Sequence, residues 1–335
     1  MSIHPKTIGV IGDGGWGTTL ALHCARNGHS VTLWGPFPDY VKRMQKARVN
    51  PTFLPGVHLP KSIHISENLT TTIAQNEILL YAIPSQFTPA ILKQIAKTKC
   101  DLSDKIILSV TKGIDTKSLK RISQMIHDEL GDLKLGVLSG PTIAKEVAAK
   151  IPSTAVIASS NQNLAKTLQQ TINSDTFRIY TNTDIIGVEL GGSIKNVIAL
   201  ACGVCDGLGF GSNTKAALLT RGLAEMARLG VALGGKKDTF SGLSGLGDLV
   251  TTCFAPTSRN RTVGEQLGKG KTIESILSKM RMVAEGVETS KAIVKISKEK
   301  NIPMPICTEV YNIIFKHKQP AEAVADLMTR EVKKE

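Results

Sequence analysis

Aromatic side chains are scarce in this chain: phenylalanine, tryptophan and tyrosine together make up 4% of its 335 residues. That scarcity bears on the net charge of +13, which by itself suits nucleic acid, an anionic membrane surface or anionic small molecules. A nucleic-acid face sets aromatics that stack on bases among its basic residues, whereas the lysines here are spread along the chain. The charge reads as a solvated surface with a few positive groups set aside for phosphate, and no nucleic-acid partner is expected. Metal-ligand spacings are lacking as well. The six cysteines include one C-x-x-C, Cys202 and Cys205, within an apolar stretch of helical periodicity, and no second pair completes a zinc site. They read as buried reduced thiols. None of the seven histidines falls in a motif. Gly242-Leu243-Ser244-Gly245 is one residue short of a nucleophile elbow, and no His and Asp are placed to complete a hydrolase triad. No apolar run is read as long enough to cross a bilayer, so no integral membrane association is expected. The few residues before the first apolar run leave no room for a signal peptide, so a cytoplasmic protein is expected. Internal repeats and low-complexity tracts are absent.

Apolar residues make up 41% of the chain and charged residues 21%, the balance of a globular protein, and the length allows two domains. The stretch that organises the rest is Gly12-Asp13-Gly14-Gly15-Trp16-Gly17. It follows the strand-like run Thr7 to Ile11 and precedes a helical pattern, with Leu20, Ala21, Cys24 and Ala25 on one face, that Gly28 stops. Between a strand and a helix, each glycine has a task. Gly12 makes the tight turn, Gly14 lets a pyrophosphate approach the backbone, and Gly17 packs the helix on the strand; the phosphates then sit on the amide groups of the helix N-terminus. The competing account is an ordinary glycine-rich turn.

A second strand is read at Ser30 to Trp34. Dinucleotide folds selective for NAD carry an acid near its end, for the ribose 2′-hydroxyl. Here that place holds Trp34, Gly35 and Pro36, with Lys42, Arg43 and Arg48 nearby. The cofactor is therefore expected to be NADP or NAD, with NADPH at least as good as NADH. Asn50 to Pro60 contains three prolines and reads as a loop. Strand-like segments then recur at Glu77 to Ala82, Lys105 to Thr111, Leu135 to Ser139, Thr154 to Ala158 and Phe177 to Thr181, with helical segments between them. From Asp184 onward only helical periodicity remains. The chain is accordingly α/β: residues 1–183 form a doubly wound, Rossmann-type, mainly parallel sheet domain that binds the dinucleotide, and residues 184–335 an all-helical substrate and catalytic domain.

Ligands of such sheets bind beyond the carboxyl ends of the strands. Three features stand there: Pro84-Ser85, Thr111-Lys112-Gly113 and Ser139-Gly140-Pro141-Thr142. All three also suit plain turns, but a lysine directly after an apolar strand points toward the ligand crevice. In the second half, Gly187, Gly191 and Gly192 open a long helix that carries Lys195; glycines cost a helix about 1 kcal/mol each relative to alanine and mark a close approach. Gly245-Leu246-Gly247-Asp248 and Ser258-Arg259-Asn260 follow. Guanidinium, hydroxyl and amide together suit a phosphate group.

Taken together, Val10 to Thr18, Thr111-Lys112-Gly113, Ser139-Gly140-Pro141-Thr142-Ile143-Ala144-Lys145-Glu146, Gly191-Gly192-Ser193-Ile194-Lys195-Asn196-Val197, Thr220 to Met226, Gly245 to Leu249 and Ser258-Arg259-Asn260 resemble, in collinear order, the NAD(P)-dependent glycerol-3-phosphate dehydrogenases of bacterial type. The resemblance implies hydride transfer between NAD(P)H and dihydroxyacetone phosphate, giving sn-glycerol 3-phosphate for phospholipid synthesis, by a cytoplasmic homodimer. It implies that Lys195 exchanges the proton at the reacting oxygen, supported by Lys112 and Asp248. It assigns Lys112, Gly140, Thr142, Lys195, Asp248, Ser258, Arg259 and Asn260 to the substrate. It assigns Gly15, Trp16, Lys112, Ala144, Arg259, Val283 and Glu285 to the cofactor, beside Gly12, Gly14 and Gly17 of the turn. Pro36 and Phe37 depart from the family, which often has a polar or basic residue there. Two other classes stay open on the residues: a two-domain dehydrogenase of β-hydroxyacids, and a dinucleotide-sensing or nucleic-acid-binding protein without catalysis.

Overall fold

The computed structural model describes residues 4–280, 282–332 and 334. Met1 to Ile3, part of the segment that argued against a signal peptide, lie outside the described residues, as do Arg281, Lys333 and Glu335. Strands form where β-branched and other apolar residues run together between turn residues. These are β1 (Thr7–Ile11), β2 (Ser30–Trp34), β3 (Val49–Asn50), β4 (Leu54–His58), β5 (Ile63–Ser66), β6 (Ile78–Tyr81), β7 (Ile106–Ser109), β8 (Lys134–Ser139), β9 (Ser153–Ala158) and β10 (Phe177–Asn182). One sheet has the order β10-β9-β8-β7-β6-β1-β2-β5, and β3 pairs separately with β4. Its neighbours are parallel except β8 with β9. From β1 the order runs outward in both directions, to β2 and to β6, which puts the switch point of the sheet at the carboxyl end of β1.

Strand β6, Ile-Leu-Leu-Tyr, lacks alternation because both of its faces are covered. Ile78 and Leu80 pack with Leu20 and Val41 on one side, and Leu79 and Tyr81 with Ile91 and Ile126 on the other. The doubly wound, mainly parallel sheet and the helical second half are as expected. The supposed loop at 50–60 is different: it contains β4, anchored by the fully buried Leu54, with Pro55 tolerated because this two-stranded ribbon leaves one edge of the strand unpaired. The four-residue β5 was also not foreseen.

After β10 the described residues form no further strand. The helix Ile185–Gly207 corrects the expectation that no segment is long and apolar enough for a bilayer. It has 23 residues with a mean hydropathy of 1.5 over its most apolar window, and 83% of that window is buried inside the protein. Most of its residues are apolar because it is surrounded, as the buried Val188, Leu190, Ile194, Val197 and Ile198 show, with Glu189, Lys195 and Asn196 as buried polar exceptions. The helices of this half include Lys237–Phe240, Asp248–Phe254, Arg259–Gly268 and Pro320–Met328. The chain divides into two compact units, one of residues up to Lys112 with Lys120–Glu189, the other of Gly113–Leu119 with Leu190 onward.

Candidate active site

In the first unit the glycine turn joins β1 to the helix Gly15–Arg26. Gly12 adopts φ +118°, and a Cβ there would come within 2.7 Å of the Ala82 carbonyl oxygen. At Gly17 a Cβ would lie 2.0 Å from the Gly12 carbonyl oxygen, so this residue sets how closely helix and strand approach. Gly14 is the contrast. Its φ of −63° and ψ of 173° suit any residue, and no protein atom lies within 4 Å of a Cβ placed on it. Gly14 caps the helix without a side-chain acceptor, so the first amide groups of the helix suit an anionic partner.

Buried polar atoms without partners concentrate on the same side of the sheet. Among the described residues they are Asp13 Oδ2, Trp16 Nε1, Ser109 Oγ and Ser139 Oγ, all in the turn or at the last residues of β7 and β8, with Asn312 Oδ1 elsewhere. Native proteins rarely leave such groups unsatisfied, and a ligand is one way to satisfy them. Open space at Gly14, an uncapped helix start and orphaned polar atoms together fit a dinucleotide. Gly14→Val should therefore leave the circular dichroism spectrum native and abolish NADH and NADPH binding in a fluorescence titration. Undiminished affinity in the folded variant would refute the assignment.

At the carboxyl ends of β7 and β8 the structure brings Lys112, Gly140 and Thr142 together. Lys112 Nζ donates to the Gly140 carbonyl at 3.0 Å and to Thr142 Oγ1 at 3.5 Å. Ala144 begins the helix Ala144–Ala148, and its carbonyl accepts from Thr19 Oγ1 of the turn helix at 3.1 Å. Arg48, one of the cations near the end of β2, is instead tied to the carbonyls of Leu59, Pro60 and Ile63.

In the second unit Lys195 is 6% exposed. Its Nζ lies 2.9 Å from Asp248 Oδ1 and donates to Thr252 Oγ1 at 2.6 Å. Thr252 in turn donates to Asp248, whose carbonyl is 2.6 Å away and whose Oδ1 is 3.2 Å away. The glycine of the lysine's own helix explains the approach. A Cβ on Gly191 would lie 2.6 Å from the Ser244 carbonyl oxygen, so the π-helical turn Leu243–Gly247 packs directly on this backbone and delivers Asp248 to the lysine. Next to Lys195, Asn196 Oδ1 accepts from Asn260 Nδ2 at 2.8 Å, and Asn260 Oδ1 accepts from the Gly286 amide at 3.0 Å. Ser258 caps the helix Arg259–Gly268 by accepting from the Arg261 amide. Arg259, on the surface, donates to the Val283 carbonyl at 2.7 Å, and Glu285 starts the helix Glu285–Glu299. Thr252 and Asn196 were given no role from sequence. The spacing of Asp248 and Thr252 held the signal, since residues four apart share a helix face.

Residues 7–165 match the N-terminal domain of NAD-dependent glycerol-3-phosphate dehydrogenase, and residues 184–325 match its C-terminal domain. This chain belongs to that family. A glycerol-3-phosphate dehydrogenase (NAD(P)+) of Chlorobium phaeobacteroides strain BS1 is 46% identical over 334 residues, covering 98% of each chain. One from Syntrophotalea carbinolica is also 46% identical, over 98% of this chain and 99% of its own. The crystal structure of glycerol-3-phosphate dehydrogenase from Coxiella burnetii superposes with a TM-score of 0.94 at 37% identity, covering 97% of this chain and 99% of that one. Within the family's C-terminal domain the buried Lys195–Asp248–Thr252 cluster can stabilise and protonate an oxygen that becomes negative, and the N-terminal domain holds the glycine turn.

Proposed function

We propose that this protein transfers a hydride reversibly between NAD(P)H and dihydroxyacetone phosphate, giving sn-glycerol 3-phosphate. It is an NAD(P)-dependent oxidoreductase of the glycerol-3-phosphate dehydrogenase family, which supports the substrate, and the observation that carries the carbonyl reduction is the buried ammonium of Lys195, held between a carboxylate and a hydroxyl. When bound, the nicotinamide supplies the hydride. The residues do the rest. Reduction of a ketone builds negative charge on its oxygen, and Lys195 lowers that cost by presenting a positive charge and a proton in a place shielded from water. Asp248 and Thr252 hold the ammonium in one position, so no reorganisation is needed as the charge develops. Arg259, Ser258 and Asn260 take the phosphate, and Lys112, Gly140 and Thr142 complete the substrate contacts. Gly12, Gly14, Gly15, Trp16 and Gly17 hold the dinucleotide, with Ala144, Arg259, Val283 and Glu285 as further contacts. The product supplies glycerophospholipid synthesis, and the working form is a cytoplasmic homodimer.

The test is the loss of NADH and NADPH fluorescence on addition of dihydroxyacetone phosphate. Oxidation of at least one cofactor is expected, with β-ketoacids inert. Turnover of a β-ketoacid and none of dihydroxyacetone phosphate would move the chain to the other dehydrogenase class.

A further inference from the structure

The second strand ends without an acid, yet the structure brings a carboxylate to the same place from another segment. Asp13 stands between the first two glycines of the turn and is 5% exposed. A Cβ built on Gly35 would lie 2.3 Å from Asp13 Oδ2 and 2.7 Å from its Cγ, so the carboxyl fills the space beside the residue that follows β2. The segment is fixed through its backbone: the Asp13 carbonyl accepts from Asn50 Nδ2 at 2.7 Å and from Thr18 Oγ1 at 3.1 Å. Asp13 Oδ2 has no hydrogen-bond partner among the described residues. A Cβ on Gly35 would also lie 3.0 Å from Val41 Cγ2, so this corner beside the carboxyl is apolar. Burial pushes the carboxyl up to about 6, which still leaves it mostly ionised at pH 7.5.

We propose that Asp13 sets the cofactor preference, its carboxylate standing in for the missing strand-end acid so that the chain favours NADH over NADPH, a proposal that rests on the glycine turn being the dinucleotide site. An ionised carboxyl in such surroundings acts over several ångströms, because little water is present to screen it. A ribose with a free 2′-hydroxyl brings a donor toward that charge. A 2′-phosphate brings a like charge, which each of the two disfavours in the other. The expectation that NADPH serves at least as well as NADH weighed only the end of β2; Asp13 restores the repulsion from the turn.

The experiment is titration of the substrate-free protein with NADH and, separately, with NADPH, read by nucleotide fluorescence, for the wild type, Asp13→Asn and Asp13→Ser. Wild type should bind NADH about tenfold to a hundredfold more tightly than NADPH, the size expected of one like-charge contact at reduced dielectric. Asp13→Asn keeps the shape and removes the charge, so it should tighten NADPH and narrow the ratio to within a few-fold; Asp13→Ser checks the same point if Asn fails to fold. A packing role alone would shift both affinities by one factor, and that result overturns the proposal. Equal affinities in wild type overturn it too. If Gly14→Val abolishes binding while neither Asp13 variant changes the ratio, the turn stands as the site and the role of Asp13 falls. If wild type binds neither nucleotide, the site assignment fails and the proposal falls with it.

Discussion

Lys195→Met should lower kcat by about 10²–10⁴, the usual contribution of a positioned general acid, with NADH affinity little changed. Methionine keeps the length of the side chain and most of its packing but removes the proton and the charge. An interaction that matters chiefly in the transition state lowers kcat and kcat/KM together, whereas lost ground-state binding raises KM alone. The structure adds a complication and its control. Asp248 is 1% exposed, so the variant leaves a buried carboxylate without its ammonium. Breaking one side of such a pair costs about 3–5 kcal/mol of stability. Thermal unfolding should therefore fall in Lys195→Met and recover in Lys195→Met combined with Asp248→Asn, while activity stays low in both. Activity within a few-fold of wild type, with stability still lowered, would make Lys195 a buried structural cation with no part in proton transfer.

Much of this was legible along the chain, and the parts that were not share a cause. The glycine turn could be read because its tasks are local: a positive φ at Gly12 and a close approach at Gly17 depend on the backbone within a few residues. The inner strands could be read because burial on both faces writes unbroken apolar runs, as in Ile78–Tyr81. Strand β5, Ile-His-Ile-Ser, sits at the sheet edge beside β2 alone, where the apolar run is short. Lys195 was marked in the sequence by the glycines of its own helix, but its partner lies 53 positions further on and is brought to it by the close packing at Gly191. Asp13 was passed over for the same reason. Its significance depends on Gly35 having no side chain and on Asn50 holding the turn, and neither relation has a sequence spacing. Long-range contacts of this kind decide what a charged group does, while the pattern around it decides only which element carries it.

Arg259→Ala should lower kcat/KM for dihydroxyacetone phosphate by about thirtyfold or more, since truncating one member of a charge-assisted pair costs about 2–5 kcal/mol and 1.36 kcal/mol is one decade. The surface position of Arg259 in the structure favours the lower end, because water screens part of the attraction. Its anchoring to the Val283 carbonyl acts the other way: one Nη1 is fixed at 2.7 Å, so less side-chain freedom is lost when the planar fork meets a phosphate. The decisive comparison is with dihydroxyacetone, which has the ketone and lacks the phosphate. Wild type should use it poorly, and Arg259→Ala should add little to that deficit. Both measurements belong at saturating NADH, since Arg259 is also assigned to the cofactor and a binding defect there would lower activity on either substrate. Arg259→Lys keeps the charge and loses the fork, so it should recover only part of the rate. Equal fold-losses on the two substrates would assign Arg259 to the cofactor or to the Val283 segment, and the phosphate would then have to be held by other residues of the second unit.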